Sequence, residues 1–212
     1  MKTVSAQFLF DFGSPNAYLA HRVLPDIEKR TGVRFDYVPI LLGGLFKLSG
    51  NRSPAETFAN VKSRRDYDRL EMQRFVSRHG LDRFHVNPFW PVNTLQIMRG
   101  AVAAAKLDSF APYVEAMFAA MWERGLDMAQ PEVIVRVLDE AGLDGRTIFA
   151  ATQAPDVKER LLVNTQAAFE RGAFGSPTFF VGDEIFFGKD RLREVEEEIV
   201  KAGSARVAAQ TP

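Results

Sequence analysis

Three short segments carry side chains whose types and spacing can do chemistry. The first is Gly13-Ser14-Pro15-Asn16-Ala17. Pro15 suits a first helical turn, and Ser14 before it is a good N-cap, its oxygen meeting an orphan N–H. The same position sets a hydroxyl beside free N–H groups at the positive end of a helix dipole. That is a setting for an anion, and it lowers a thiol pKa from about 8.5 toward neutrality. The chain contains no cysteine, so any sulfur handled there must arrive with a ligand. The second segment is Gly175-Ser176-Pro177-Thr178. It reads as a turn entering a strand. A cis Ser176–Pro177 bond would also turn the Ser176 backbone toward a cleft, where an extended peptide can pair with it as an added strand. The third is Gly188-Lys189-Asp190-Arg191. Asp190 reads as the N-cap of a final helix. With the neighbouring N–H groups it can also hold both ends of an amino-acid zwitterion, carboxylate on the helix N-terminus and ammonium on Asp190.

Other candidates are weaker. In Leu42-Gly43-Gly44-Leu45-Phe46-Lys47 the paired glycines read as a tight backbone path, and Lys47 can attract an acidic substrate. Arg64, Arg65 and Arg69 lie among Asp66, Asp68 and Glu71, the pattern of a solvated helix face. Asn93 in Trp90-Pro91-Val92-Asn93-Thr94 is a cap or a cleft hydrogen-bonder. His21, His79 and His85 match no metal-ligand spacing, and no phosphate loop or dinucleotide fingerprint is present. The 27 basic and 27 acidic residues leave no global positive field for nucleic acid or an anionic membrane. No run is long and apolar enough to span a bilayer. Asp11 interrupts the short apolar stretch after Lys2, so no signal peptide is read. With the missing cysteines this gives the expectation of a cytoplasmic protein.

These segments need elements to hold them. Val4 to Phe12 reads as a strand, Pro15 to Gly32 as a helix and Val33 to Ile40 as a second strand, a right-handed βαβ unit. From Pro54 to Gly172 only helical periods recur, with Pro91, Pro131 and Pro155 as starts and Leu161, Leu162 and Phe169 facing inward on the last. Thr178 to Val181, a Gly182-Asp183 turn and Glu184 to Phe187 make a hairpin, followed by a helix from Asp190 through Val200. The order βαβ, helices, ββα is that of an α/β thioredoxin-like fold interrupted by a helical insertion. The expected division is 1–48 with 173–212 for the thioredoxin-like part and 49–172 for the insertion. In that fold the strand–helix junction usually holds a Cys-x-x-Cys pair; here Ser14 and Ala17 stand at its ends. A tripeptide thiol such as glutathione fits the three segments, its sulfur aimed at Ser14.

The blocks Phe10 to Tyr18, Leu42 to Lys47 with Gly50-Asn51, Pro91 to Leu95, Gly172 to Val181 and Phe187 to Leu192 together resemble the 2-hydroxychromene-2-carboxylate isomerases, in family order across nearly the whole chain. That family belongs to the DsbA-like, kappa-class glutathione transferase group. The resemblance implies glutathione as cofactor, an aromatic carboxylate substrate, a cytoplasmic homodimer and a place in aromatic catabolism. It implies that Ser14 stabilises the thiolate, that Ser176 and Pro177 hold the cysteine backbone and that Asp190, beside Lys189, binds the γ-glutamyl amine. Lys47, Asn51, Arg64 and Asn93 are the implied substrate side. Arg64 and Glu71 depart from the lysine and aspartate common in the family's corresponding block. A kappa-like transferase or peroxidase, and a non-enzymatic thioredoxin-like peptide-binding module, are the alternatives.

Overall fold

Aromatic and β-branched runs at the two ends of the chain make one four-stranded sheet. The computed structural model describes residues 4–208. Strands β1 (Ala6–Phe10), β2 (Phe35–Pro39), β3 (Thr178–Val181) and β4 (Glu184–Phe187) lie in the order β2-β1-β3-β4. β1 pairs parallel with β2, Phe8 opposite Tyr37, and antiparallel with β3, Phe8 opposite Phe179. The β3–β4 hairpin turns at Gly182, at φ 59°, a left-handed conformation that glycine adopts without steric cost.

β1 is shorter than the Val4 to Phe12 run because Asp11 bends the chain. Its Oδ1 accepts the Gly13 N–H at 2.8 Å, and its carbonyl accepts the Ser14 N–H at 3.0 Å, an Asx-type turn that ends the ladder. Helix α1 (Pro15–Thr31) begins there and ends at Gly32, φ 69°. β2 is likewise trimmed to Phe35–Pro39. The paired glycines do not make a separate tight path. They lie inside α2 (Leu42–Ser49), where a Cβ added at Gly44 would sit 3.5 Å from Thr165 Cγ2 of a later helix, an ordinary contact.

Seven helices fill the stretch between α2 and β3: α3 (Pro54–Thr57), α4 (Arg64–His79), α5 (Leu95–Lys106), α6 (Phe110–Trp122), α7 (Pro131–Glu140), α8 (Gly145–Ala151) and α9 (Pro155–Glu170). Pro131 and Pro155 start helices as expected. Pro91 does not: α5 starts at Leu95, where Asn93 Oδ1 accepts the Leu95 N–H and the Thr94 carbonyl accepts the Met98 N–H. On α9 Leu161 is buried but Leu162 is 67% exposed, since adjacent residues on a helix point about 100° apart and cannot share a face. After β4 a 3₁₀ turn, Lys189–Arg191, precedes α10 (Leu192–Ala208). Asp190 is therefore not an N-cap of α10: it lies within that turn, with its side chain bound to Lys189.

The helices between β2 and β3 share a core with the sheet. Phe10 and Phe12 of the β1 end pack on Phe118 of α6, with ring centroids 5.6 and 4.8 Å apart, and Tyr18 of α1 packs on the same ring. Trp122, Tyr113 and Met117 are fully enclosed beside them. Among the described residues no helix is long and apolar enough to cross a membrane.

Candidate active site

The turn from Asp11 to Ser14 joins β1 to α1, and nearly all its backbone polar groups have a named partner. Asp11 N–H donates to Ser176 Oγ at 3.1 Å. Phe12 N–H donates to Met98 Sδ at 3.4 Å, and its carbonyl accepts Trp122 Nε1–H at 2.7 Å. The Gly13 carbonyl accepts Trp90 Nε1–H at 3.0 Å. Buried backbone groups are costly when unpaired, so this accounting describes a rigid turn. A Cβ at Gly13 would lie 3.0 Å from Thr94 Cγ2, a tight fit that a larger residue could meet only if Thr94 gave way.

Ser14 is 5% exposed. It caps α1 as expected, Oγ accepting the Ala17 N–H at 3.2 Å. It also donates its hydroxyl to the Ser176 carbonyl at 2.8 Å, across 162 residues. The Ser176–Pro177 peptide is cis. The next carbonyl, that of Pro177, accepts the Gly188 N–H at 2.9 Å. One continuous set of bonds thus runs from Ser14 through Ser176 and Pro177 to the Lys189–Arg191 turn. Lys189 is buried, its Nζ 4.8 Å from the Phe75 ring centroid and 2.5 Å from Asp190 Oδ1. The Asp190 side chain is 69% exposed, open to a cationic ligand group on its outer side.

The remaining sequence candidates divide. Asn51 is brought to the Ser176 loop, its Nδ2–H donating to the Phe174 carbonyl at 2.9 Å. Asn93 is exposed and spends its oxygen on the Leu95 N–H, the cap role, one residue from the buried Thr94 that abuts Gly13. Lys47 is exposed in the last turn of α2. Arg64 faces solvent, paired with Asp68 one turn on, its guanidinium 4.5 Å over the Phe58 ring centroid. No described bond ties it to the Ser14 turn.

Two contributors were missed. Asp11 is 1% exposed. Its Oδ2 accepts the Leu42 N–H at 2.8 Å while Oδ1 accepts Gly13 N–H. The carboxylate therefore stands at the starts of both α1 and α2, where a negative charge is favoured. Burial pushes its pKa up, against the lowering influence of those N–H groups and of Thr94. A lone acid closing an otherwise apolar strand just before a helix cap was the available signal. Trp90 was the other. It is 37% exposed, bonded to Gly13, and presents an aromatic face beside the turn. Phe174 and Phe187, half-exposed with rings 4.6 Å apart, flank the Ser176 side. A separate groove of about 800 Å³ runs along the β2 edge, lined by Tyr37, Pro39 and Phe110 among others. It includes none of the Ser14-turn residues.

The model of the DSBA-like thioredoxin domain matches residues 6–200. The chain belongs to that family. It is 30% identical to a 2-hydroxychromene-2-carboxylate isomerase of Pseudomonas putida over 190 residues, 89% of this chain and 91% of the relative. A solved 2-hydroxychromene-2-carboxylate isomerase superposes with a TM-score of 0.82 at 27% identity, covering 97% of this chain and 99% of that one. The human glutathione S-transferase kappa 1 is 21% identical, covering 89% of this chain and 87% of its own. Within the DSBA-like family the chain groups with the isomerases and their kappa-class relatives, as the sequence blocks implied.

Proposed function

We propose that this chain is a glutathione-dependent isomerase that interconverts 2-hydroxychromene-2-carboxylate-type substrates and trans-o-hydroxybenzylidenepyruvates. The observation that carries the reading is the buried Ser14 hydroxyl, at the start of α1 and bonded to the Ser176 carbonyl, in a chain without cysteine whose relatives include named isomerases. The donor set suits a γ-glutamyl-cysteinyl thiol: a hydroxyl and helix N-terminus for sulfur, a carbonyl for a backbone N–H, an exposed carboxylate for an ammonium group. When bound, glutathione would supply a thiolate that adds reversibly to the conjugated substrate and leaves again, which permits rotation about a carbon–carbon bond in between.

The protein's part is positioning and charge. Ser14 and the first turn of α1 hold negative charge at the sulfur. The Ser176 carbonyl accepts a backbone N–H of an extended ligand, and Pro177 shapes the loop that presents it. Asp190, with one oxygen on Lys189, offers its other to the γ-glutamyl ammonium. Lys47, Asn51 and Asn93 orient the substrate carboxylate, with Trp90 as an apolar wall. Arg64 joins them only when its exposed pair with Asp68 opens, a pair worth less than about 1 kcal/mol. On this reading 1–48 and 173–212 hold the thiol, 49–172 completes the substrate side, and the enzyme works as a cytoplasmic homodimer.

The test is turnover of a 2-hydroxychromene-2-carboxylate with and without glutathione. Turnover only with glutathione is expected. Equal turnover without it overturns the cofactor assignment. Transfer to chlorodinitrobenzene without isomerisation would move the chain to the kappa-transferase reading. Calorimetry showing no glutathione binding would leave a peptide-binding module.

A further inference from the structure

The Ser14 hydroxyl is committed before any ligand arrives. A carbonyl oxygen has no hydrogen, so the 2.8 Å contact between Ser14 Oγ and Ser176 O must use the serine's single proton. The oxygen itself is held by the Ala17 N–H at 3.2 Å. Ser14 as it stands therefore has no donor left for a thiolate. Freeing that donor needs only rotation about Cβ–Oγ, with no heavy atom moving, but it leaves the Ser176 carbonyl without its partner. Ser14 and Ser176 are 5% and 8% exposed, so water is poorly placed to take over. Nor can the carbonyl turn away. Ser176 Oγ is fixed by the Asp11 N–H at 3.1 Å, and the Pro177 carbonyl after it by the Gly188 N–H at 2.9 Å.

We infer that recognition of a peptide backbone and activation of a thiol are coupled at this one acceptor: the Ser176 carbonyl holds the Ser14 proton until a ligand N–H replaces it, and only then does Ser14 donate to sulfur. The inference rests on the proposed glutathione site. A carbonyl has two lone pairs, so both donors can share it during the exchange and the acceptor is never bare. The thiol S–H bond breaks and its proton goes to water; the Ser14 O–H bond stays intact, and only its hydrogen bond swings from the carbonyl to sulfur. The device selects by chemical class. A thiol with an amide N–H on its cysteine nitrogen replaces what it removes. A simple thiol, or one without that N–H, leaves a buried acceptor unpaired, a loss of roughly tenfold or more in the activated complex.

The experiment compares glutathione with its depsipeptide analogue, in which an ester oxygen replaces the cysteine N–H. Each is titrated on the enzyme by thiolate ultraviolet absorbance and by calorimetry, with each bound thiol referred to the same compound free in solution. On wild type the glutathione sulfur is expected to be acidified by about one unit more than that of the depsipeptide. In Ser14→Ala that difference should vanish while glutathione still binds; Ser14→Gly serves if the alanine variant folds poorly, since glycine is nearly as good a cap. Equal acidification of both sulfurs on wild type, with glutathione bound and turned over, overturns the coupling and leaves the proposed function standing. If glutathione does not bind at all, the proposed function falls and the coupling with it.

Discussion

Two loops close on the Ser14 turn, and they hold it by different means. Residues 174–178, entering β3, meet it with a backbone carbonyl and a serine hydroxyl, both buried. Residues 90–94, entering α5, meet it with side chains, the Trp90 indole on the Gly13 carbonyl and the Thr94 methyl against Gly13, with Asn93 exposed beside them. A backbone acceptor is indifferent to which side chains surround it. A contact made by an exposed side chain can change while the turn survives. On the proposed function, the first loop is thus suited to invariant chemistry at sulfur, the second to selecting what the sulfur meets.

The largest effect that can break this division is Ser14→Ala. Loss of the hydroxyl that, once freed from the Ser176 carbonyl, would donate to the thiolate is expected to lower turnover by about a hundredfold or more. Steady-state assays with saturating glutathione check it, and near wild-type turnover would end the argument for the first loop. Next, alanine at two glycines compares the regions directly. A Cβ at Gly100 would lie 2.0 Å from the Tyr113 hydroxyl, which is buried and bonded to the Ile97 carbonyl. Gly100→Ala is expected to destabilise by about 3 kcal/mol. At Gly175 the clash is with the half-exposed Phe187 ring, at 2.6 Å. That ring can swing outward, so Gly175→Ala is expected to cost about 1 kcal/mol. Urea unfolding ranks the two, and the reverse order would show that the β3 loop is the tighter region.

Asp11 is where both loops meet, and its substitution sharpens the comparison through pH. Burial raises its carboxyl above the usual 3.8. An acid whose native value is raised binds its proton more tightly folded than unfolded. Its contribution to stability is fully present below 3.8 and is lost as pH rises through the native value. The stability gap between wild type and Asp11→Asn should therefore shift in favour of the asparagine protein across that window, on top of a constant loss of about 1–3 kcal/mol from a mismatched acceptor. Thermal unfolding at a series of pH values measures both, and a gap flat in pH removes the buried-acid argument. Smaller still, Trp90→Phe deletes one hydrogen bond, about 1 kcal/mol. It is expected to raise the KM for the aromatic substrate while leaving glutathione affinity unchanged. Arg64→Ala should move stability by no more than about 0.5 kcal/mol, as its exposed pairing with Asp68 implies.

The strands and the helix starts at Pro15, Pro131 and Pro155 were legible because local rules set them: N-caps, proline at a first turn, β-branched runs. The meeting of Ser14 with the Ser176 loop was legible only through the order of elements, βαβ then ββα. What escaped was set by distant partners. Asp11 reads as an interruption until Leu42 and Gly13 are seen to converge on it. Gly43-Gly44 reads as a tight backbone path, yet both residues lie within the helix α2. Asp190 reads as a cap, but the chain makes an extra 3₁₀ turn there and Lys189 takes the carboxylate. Trp90 gave no period or cap signal, since its indole bonds to a carbonyl 77 residues away.

β1 lies between β2 and β3, and the serine at its end answers to a residue 162 positions later. A ribosome adding about 5–20 residues per second would expose that serine roughly ten to thirty seconds before its partner is made. Until then one edge of the central strand is open to stray pairing. A nascent chain that stalls, or a fragment clipped before the β3–β4 hairpin, carries Ser14 without the Ser176 carbonyl opposite it. On the proposed reading, activity would thus wait until the β3–β4 hairpin docks beside β1.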